Sequence, residues 1–372
     1  MMNKSIERKK KILFLVPYPF DKAPSQRLKF EQYYPYFEQE GFVITKKPFI
    51  TESFWKIVYK KGFWLRKVAY TIGGYFRRLG LLFQLGRYDL VYIHLWVTPL
   101  GPPFFERLAC ALSKKVIYDI DDLIYIPKSE ANKIVLGLKG KTKPFFLMKR
   151  SDHVITCTPY LDQIARKYNE HTTDISSTIN TDKYIPKESY TVKDGKLILG
   201  WSGSHSTSKF LLLLKPVFDQ LKKEGVNFKL LVLGDASFSM EGIEVEALPW
   251  REDYEVSTIK RFDIGLYPLP DEEWVYGKSG LKALQYMAAG VPVIATAIGA
   301  NFRIIESGKN GYLVKENEEW LDAIRKLMND ESLRREIGKK GVETVEKDFS
   351  VKANIKKYLQ VLNGVMQLPT GS

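Results

Sequence analysis

The stretch from Lys278 to Thr296, KSGLKALQYMAAGVPVIAT, carries residue types that can hold an anion. Wound at about 100° per residue, Lys278, Lys282 and Gln285 share one narrow stripe of a helix. Leu281, Leu284 and Ala288 form an adjacent apolar face. Gly280 falls in the first turn, where backbone N–H groups lack partners and the positive helix end favours negative charge. Two ammonium groups one turn apart beside a helix start make a cradle for a diphosphate. The same residues also describe an ordinary helix with two solvated lysines. The apolar company of the stretch, which runs on through VPVIAT as a core strand, speaks for the cradle.

Two further segments carry candidate chemistry. GWSGSHSTSKF (200–210) is a glycine- and hydroxyl-rich turn after an apolar strand, and Gly203 allows close approach of a ligand to the backbone. Lys209 follows within the next turn or two of helix, yet the lysine-threonine ending of a P-loop is absent. YDIDDLIY (118–125) places Asp119, Asp121 and Asp122 at a strand end. Three acids there invite a divalent metal, a hydroxyl-binding role for Asp121 or Asp122, or plain capping of the next helix. His94 and His205 have no cysteine or acid at ligand spacing, so no metal is expected. Neither a Gly-x-Ser-x-Gly elbow nor a dinucleotide fingerprint is present.

The elements that must position these residues repeat in two halves. Lys11 precedes ILFLVPYP and Lys196 precedes LILGWSGS, each a short apolar β run that ends in a turn and leads into a helical pattern. Strand-like runs follow at 42–45, 90–94, 116–120 and 153–157, then at 228–234, 243–248, 263–268, 291–296 and 311–314. Helical segments separate most of them, which predicts an α/β chain with two parallel sheets. The boundary is expected near 186–195, where PKESYTVKDG is polar and punctuated by Pro and Gly. The halves are therefore 1–190, joined by the C-terminal helix at 350–366, and 191–349. Ligands of open parallel sheets bind beyond the C-terminal strand ends, so two facing sheets would enclose a cleft.

Composition sets the outer bounds. The 372 residues suit two domains, and 45% hydrophobic with 27% charged content is that of a soluble globular protein. No apolar run reaches the length of a membrane span, and the start shows no signal-peptide core. Cys110 and Cys157 are too few for a disulfide framework and read as buried thiols in a reducing cytosol. The closing PTGS is read as an unstructured end. Residues 1–190 hold 32 Lys and Arg against 18 Asp and Glu, whereas the remainder holds 25 of each. The whole net charge of +14 thus lies in one half, which is expected to face something anionic. Within that half, residues 54–85 interleave aromatics with Lys and Arg and contain no acid. The pattern fits a helical hairpin at an anionic membrane surface, or core-packed aromatics with snorkelling lysines. No nucleic-acid-binding signature accompanies it, and no nucleic acid partner is expected.

QYMAAGVPVIAT (285–296), IGANFRIIESGKNGYLV (298–314) and the tail ending EKDFSVKANIKKYL together resemble family 4 of the retaining nucleotide-sugar glycosyltransferases. SDHVITCTPYLDQIARKY followed by INTDKYIP is similar to that family's interdomain approach. The resemblance implies the GT-B architecture of two facing Rossmann-like domains. It also implies transfer of a sugar from a UDP- or GDP-sugar with retention of anomeric configuration. The family's two donor-touching glutamates would fall at Gly277 and Gln285, neither of which has a carboxylate. Its basic pair would fall at Ser204 and Lys209, and its first-domain histidine near Asp121. On this basis Gly203, Ser204, Lys209, Lys278, Ser279, Gly280 and Lys282 would hold the diphosphate. Gln285 would touch the ribose, with Trp250 and Arg251 lining the base pocket.

Pro24, Ser25, Arg27 and His94 would bind the acceptor, and Asp121, Asp122, Lys209 and Lys282 would serve catalysis. The implied acceptor is a glycan or a polyprenyl-diphosphate-linked saccharide, in assembly of a cell-surface polysaccharide or glycoconjugate. No metal or other cofactor is implied. The expected location is cytoplasmic, peripheral at the inner face of the membrane. A sugar-nucleotide epimerase or hydrolase on the same fold, or a non-catalytic basic protein that binds membrane or nucleic acid, are the alternatives.

Overall fold

Uninterrupted aliphatic runs build the two sheets, because strands covered on both faces need no alternation of polar residues. A computed structural model of the chain describes residues 8–127 and 137–367; the PTGS end lies outside them. The chain forms two compact units, Met1–Ser176 with Ile355–Ser372, and Ser177–Asn354.

The first unit contains β1 (Lys11–Val16), β2 (Val43–Pro48), β3 (Leu90–His94), β4 (Val116–Asp119), β5 (His153–Thr156) and β6 (Thr172–Asp174). They pair in parallel in the order β2-β1-β3-β4-β5-β6. β3 and β4 are buried along their whole length. The edge strand β6, sequence TTD, was not expected: it has no apolar run, and only pairing with β5 makes it a strand. The strand order reverses between β1 and β3, so residues following Val16 and His94 flank the switch point of this sheet.

Residues 54–85 form two helices, Glu52–Val58 and α1 (Trp64–Leu82). The inner side of α1 is anchored. Gly74 leaves room for the Phe49 ring, which a Cβ would meet at 2.5 Å. Buried Arg78, one turn on, donates to the carbonyls of Val16 at 3.0 Å, Lys47 at 2.8 Å and Val97 at 3.0 Å. One guanidinium thus satisfies three loop and strand-end acceptors at once, and burial lowers its pKa to about 9. Phe54 stacks on Tyr70 at 5.3 Å, so part of the aromatic content here is core.

The second unit contains β7 (Leu197–Ser202), β8 (Phe228–Leu233), β9 (Val245–Leu248), β10 (Ile264–Tyr267), β11 (Val293–Thr296) and β12 (Tyr312–Val314). Its order is β12-β11-β10-β7-β8-β9, again all parallel, with the reversal between β7 and β10. Gly200 and Gly265 lie side by side across that junction. A Cβ on Gly200 would meet the Phe262 ring at 1.9 Å, and one on Gly265 would meet Tyr286 at 2.5 Å. Gly265 is the seat on which α2 (Leu281–Ala288) comes down onto the sheet through Tyr286, while Gly200 leaves room for Phe262, whose ring meets that of Tyr286 edge-on at 5.7 Å. Two further helices, Asn317–Asn329 and Glu331–Thr344, follow. The last helix is α3 (Val351–Gln367). Within the first unit, Tyr358 of α3 packs on Tyr33 at 4.5 Å and its hydroxyl donates to the Lys29 carbonyl at 3.1 Å.

Candidate active site

Ligands of open parallel sheets gather where the strand order reverses, and Lys282 stands at that point in the second unit. Its ammonium lies 5.3 Å from the ring centre of Trp201, near the end of β7, and 5.3 Å from that of Tyr267, the end of β10. Among the described residues no carboxylate lies within 4 Å of it. Burial, and then the neighbouring Lys278, push its pKa down to about 8. A cation in this state is held by ring faces alone, and an anion in reach would be drawn to it strongly.

The loop after β7 is shaped around that side chain. A Cβ on Gly203 would stand 2.6 Å from Lys282 Cε and 2.6 Å from the Trp201 ring. Gly234, at the end of β8, has φ +111°, and a Cβ there would strike the Gly203 carbonyl at 1.8 Å. Buried Asp235 then ties down the next turn. It accepts from Ser208 Oγ at 2.6 Å and Ser237 Oγ at 2.7 Å, and lies 3.0 Å from His205 Nδ1. Burial raises the Asp235 pKa, but the hydrogen bonds from Ser208, Ser237 and His205 outweigh it and hold the carboxyl well below its ordinary range.

Around Lys282 the other two lysines are joined by stacked rings. Lys209, exposed, lies 5.6 Å from the Phe210 ring; Phe210 stacks on Trp274 at 5.6 Å; Lys278 lies 5.7 Å from Trp274. Lys278 is not on the helix as its spacing implied. Gly280, at φ 74°, is the N-cap of α2, so Lys278 and Ser279 precede the first turn. Ile304 and Asn301 fill the space a side chain at 280 would need, and the backbone must turn there. No side chain caps the helix start, which leaves its first N–H groups to another acceptor. The Ser279 hydroxyl donates to that of Ser177 at 2.9 Å, and exposed Ser204 bonds to Ser206 Oγ at 2.9 Å.

Gln285 sits differently from its expected place on the open stripe. It is buried, and its carboxamide nitrogen donates to Tyr184 Oη at 2.8 Å and Glu255 Oε1 at 3.1 Å. The Trp250 indole N–H donates to the same Glu255 oxygen at 2.8 Å. Arg251 pairs with Asp253 at 2.6 Å on the surface. Gln285 and Trp250 are thus joined through Glu255, while Arg251 is committed to its neighbour. The ring platform of Trp201 and Tyr267 under Lys282 escaped the sequence reading, because an aromatic at a strand end looks like core.

In the first unit, the strand ends carry a second cluster. β3 and β4 pair His94 with Asp119. Fully buried Lys29 donates to the carbonyls of Thr156 at 2.7 Å and Ile175 at 2.9 Å, and lies 3.3 Å from Asp119. The Tyr92 hydroxyl donates to the other Asp119 oxygen. Burial opposes the Lys29 charge, but Asp119 and further acids outweigh it and raise the pKa. His94 Nδ1 is 3.8 Å from Asp119 and Nε2 is 3.9 Å from Asp121, and neither ring nitrogen has a hydrogen-bond partner among the described residues. Asp121 is raised above the usual carboxylate range, mainly by burial. Asp122 accepts from the Leu123 N–H at 2.8 Å. Pro24, Ser25 and Arg27 lie on a single turn, Pro24–Arg27, after β1, whose one fully buried residue is Gln26. Lys29 and Asp119 emerge as the central pair; the lone Lys within LKFEQYYPYF was the signal for the first.

Comparison with known proteins places this geometry. Residues 196–330 match the family described as Glycosyl transferases group 1. A capsular polysaccharide biosynthesis glycosyltransferase, CapM of Staphylococcus aureus, is 28% identical over 163 residues, 41% of this chain and 42% of that protein. The first curated relatives are matched over 21% to 42% of their own length. Among solved structures, sucrose-phosphate synthase from Thermosynechococcus elongatus superposes with a TM-score of 0.69 at 16% identity, over 95% of this chain and 98% of that one. HepE of Anabaena, solved in complex with UDP-glucose, gives 0.65 at 16% identity over 95% and 99%. The chain thus has the GT-B fold, and within its second unit residues 196–330 match the group 1 glycosyl transferase family.

Proposed function

We propose that the chain is a glycosyltransferase of family 4 type. It would take a hexosyl group from a UDP- or GDP-sugar, with retention at the anomeric carbon, and pass it to a glycan or polyprenyl-diphosphate-linked saccharide in assembly of a cell-surface polysaccharide. The observation that carries this is the Lys282 ammonium, set on two aromatic rings at the switch point of β7 and β10 with no carboxylate among the described residues within 4 Å. The bond from the anomeric carbon to the diphosphate breaks, a bond to the acceptor oxygen forms, and the acceptor hydroxyl passes its proton to the departing diphosphate oxygen. Charge builds on the departing diphosphate. Lys282, Lys278 and Lys209, with the backbone N–H groups at the start of α2, offset that charge without a metal. Each charge-assisted contact contributes roughly 1.5–3 kcal/mol. On the acceptor side, Asp121 beside His94 is the group assigned to the acceptor hydroxyl.

HepE was solved with UDP-glucose, and CapM is described as a capsular polysaccharide enzyme; both agree with this assignment. The test is titration calorimetry of UDP, GDP and CMP against the full chain and its Lys282→Ala variant. One of the first two nucleotides should bind, and the variant should lose about tenfold or more in affinity. Equal affinity in the two proteins would remove Lys282 from the donor site. Release of nucleotide from sugar donors, with and without a lipid-linked acceptor, then separates transfer from hydrolysis.

A further inference from the structure

We propose that the outward face of α1 is a docking surface for an anionic lipid bilayer. A surface helix of a soluble domain turns its apolar stripe to the core and its polar side to water. In α1 and its C-cap the second half of that rule is reversed. Leu65, Val68, Ile72, Phe76, Leu79 and Phe83 are spaced by three or four residues and fall within an arc of about 80°. All six are exposed, by 42% to 83%. The inner side holds Gly74, Arg78, Leu81 and Leu82, all buried. The helix therefore already has its core contacts, and the outer stripe is additional apolar surface that none of the described residues covers. An exposed apolar strip of this continuity marks a site of association.

Charge decides among the occupants. From Ser53 to Tyr88 the chain holds eight Lys and Arg and no Asp or Glu. Exposed Arg66 and Arg77 lie on one flank of the helix, about 80° and 100° beyond the edge of the stripe, and Trp64, 69% exposed, stands at its N-terminal end. A second copy meeting this face by self-association would bring two such basic segments together, which like-charge repulsion opposes. A bilayer with anionic headgroups answers both features, with apolar rings at the acyl boundary and cations among phosphates. The helix, about 28 Å long, would lie along the interface. No helix among the described residues is long and apolar enough to cross a membrane, so the contact is with one face only.

The experiment is vesicle flotation of the full chain, with phosphatidylcholine alone and with equal parts of phosphatidylcholine and phosphatidylglycerol. Wild-type protein should float with the mixed vesicles and stay behind with the neutral ones. The double variant Ile72→Glu/Phe76→Glu should lose about tenfold or more of its binding. The triple variant Lys60→Gln/Lys61→Gln/Arg66→Gln should bind more weakly and with less salt dependence. Both alter exposed side chains, and unchanged thermal unfolding by circular dichroism confirms an intact fold. Wild-type protein that ignores anionic vesicles overturns the proposal, as does undiminished binding of the Ile72→Glu/Phe76→Glu variant. So does a dimer in light scattering that this variant dissolves, which would give the face to a second copy. None of these readouts depends on nucleotide binding.

Discussion

The Tyr286 hydroxyl accepts the backbone N–H of Ser202 at 2.7 Å. Tyr286 lies one helical turn beyond Lys282, so this bond fixes the helix that bears the candidate cation to the end of β7. Tyr286→Phe keeps the ring on Gly265 but leaves the Ser202 N–H buried without its acceptor. Such a loss costs about 1–3 kcal/mol. Urea denaturation should show that drop in stability together with a weaker nucleotide affinity; stability equal to wild type would mean the bond contributes nothing.

Gly203 is the second element that sets the lysine. Gly203→Ala places a methyl 2.6 Å from both Lys282 Cε and the Trp201 ring, and one of them must move. Overpacking of this kind costs roughly 1–3 kcal/mol. The flexible lysine is the easier to displace. Combining Gly203→Ala with Lys282→Ala should therefore cost less stability than the two changes summed, since the ammonium stem no longer competes for space. Strict additivity in denaturant unfolding would show that Trp201 alone takes the strain.

Both sheets were legible because a parallel strand buried on two faces writes itself as a run such as LVYIH or LILGWS. TTD at 172–174 was not, since an edge strand owes its conformation to its neighbour. Lys282 was found through helical spacing, yet its ring platform was invisible: Trp201 and Tyr267 come from separate segments, and only the strand order brings them together. Gln285 was misplaced for a related reason. Spacing put it on the stripe with Lys282, but its depth depends on Tyr184 and Glu255, which come from elsewhere in the unit. Gly280 moved the helix start past Lys278, because its positive φ and the packing of Ile304 against it are tertiary facts. In α1 the composition held two readings, and the structure divides them by face: Tyr70 and Tyr75 pack inward, while Ile72 and Phe76 face out.

Lys29 and Asp119 form a buried ion pair at 3.3 Å, with the lysine also bonded to two carbonyls. Among the described residues Lys29 is the one lysine or arginine within 4 Å of Asp119, and Lys29→Met removes it. Breaking one side of a buried pair costs about 3–5 kcal/mol, because the remaining charge is stranded. Removing the charge as well, in Lys29→Met/Asp119→Asn, should recover part of that loss. Chemical denaturation of the two single variants and the double variant gives the coupling. A double variant as unstable as the sum of the singles would show that the carbonyl bonds, and not the charge pair, hold this cluster.

The depressed pKa of Lys282, about 8 in the folded chain against an ordinary 10.5, fixes the sign of two pH effects. Between those values the unfolded chain holds a proton that the folded chain has released, so stability rises with pH across that window. Below pH 8 the ammonium is charged in both states, and its full desolvation cost is present. Lys282→Met, which keeps the stem and removes the charge, should therefore be more stable than wild type at pH 7 and lose that advantage toward pH 10. Nucleotide binding runs the other way. A diphosphate favours the charged amine, so binding near pH 8 should take up protons, and affinity should fall as pH rises beyond that value. Calorimetry of UDP or GDP in buffers of different ionisation enthalpy reads the proton uptake directly. Wild type should show uptake at pH 8 that Lys282→Met lacks. The same uptake in both proteins would assign the titration to another group and leave Lys282 outside the diphosphate site.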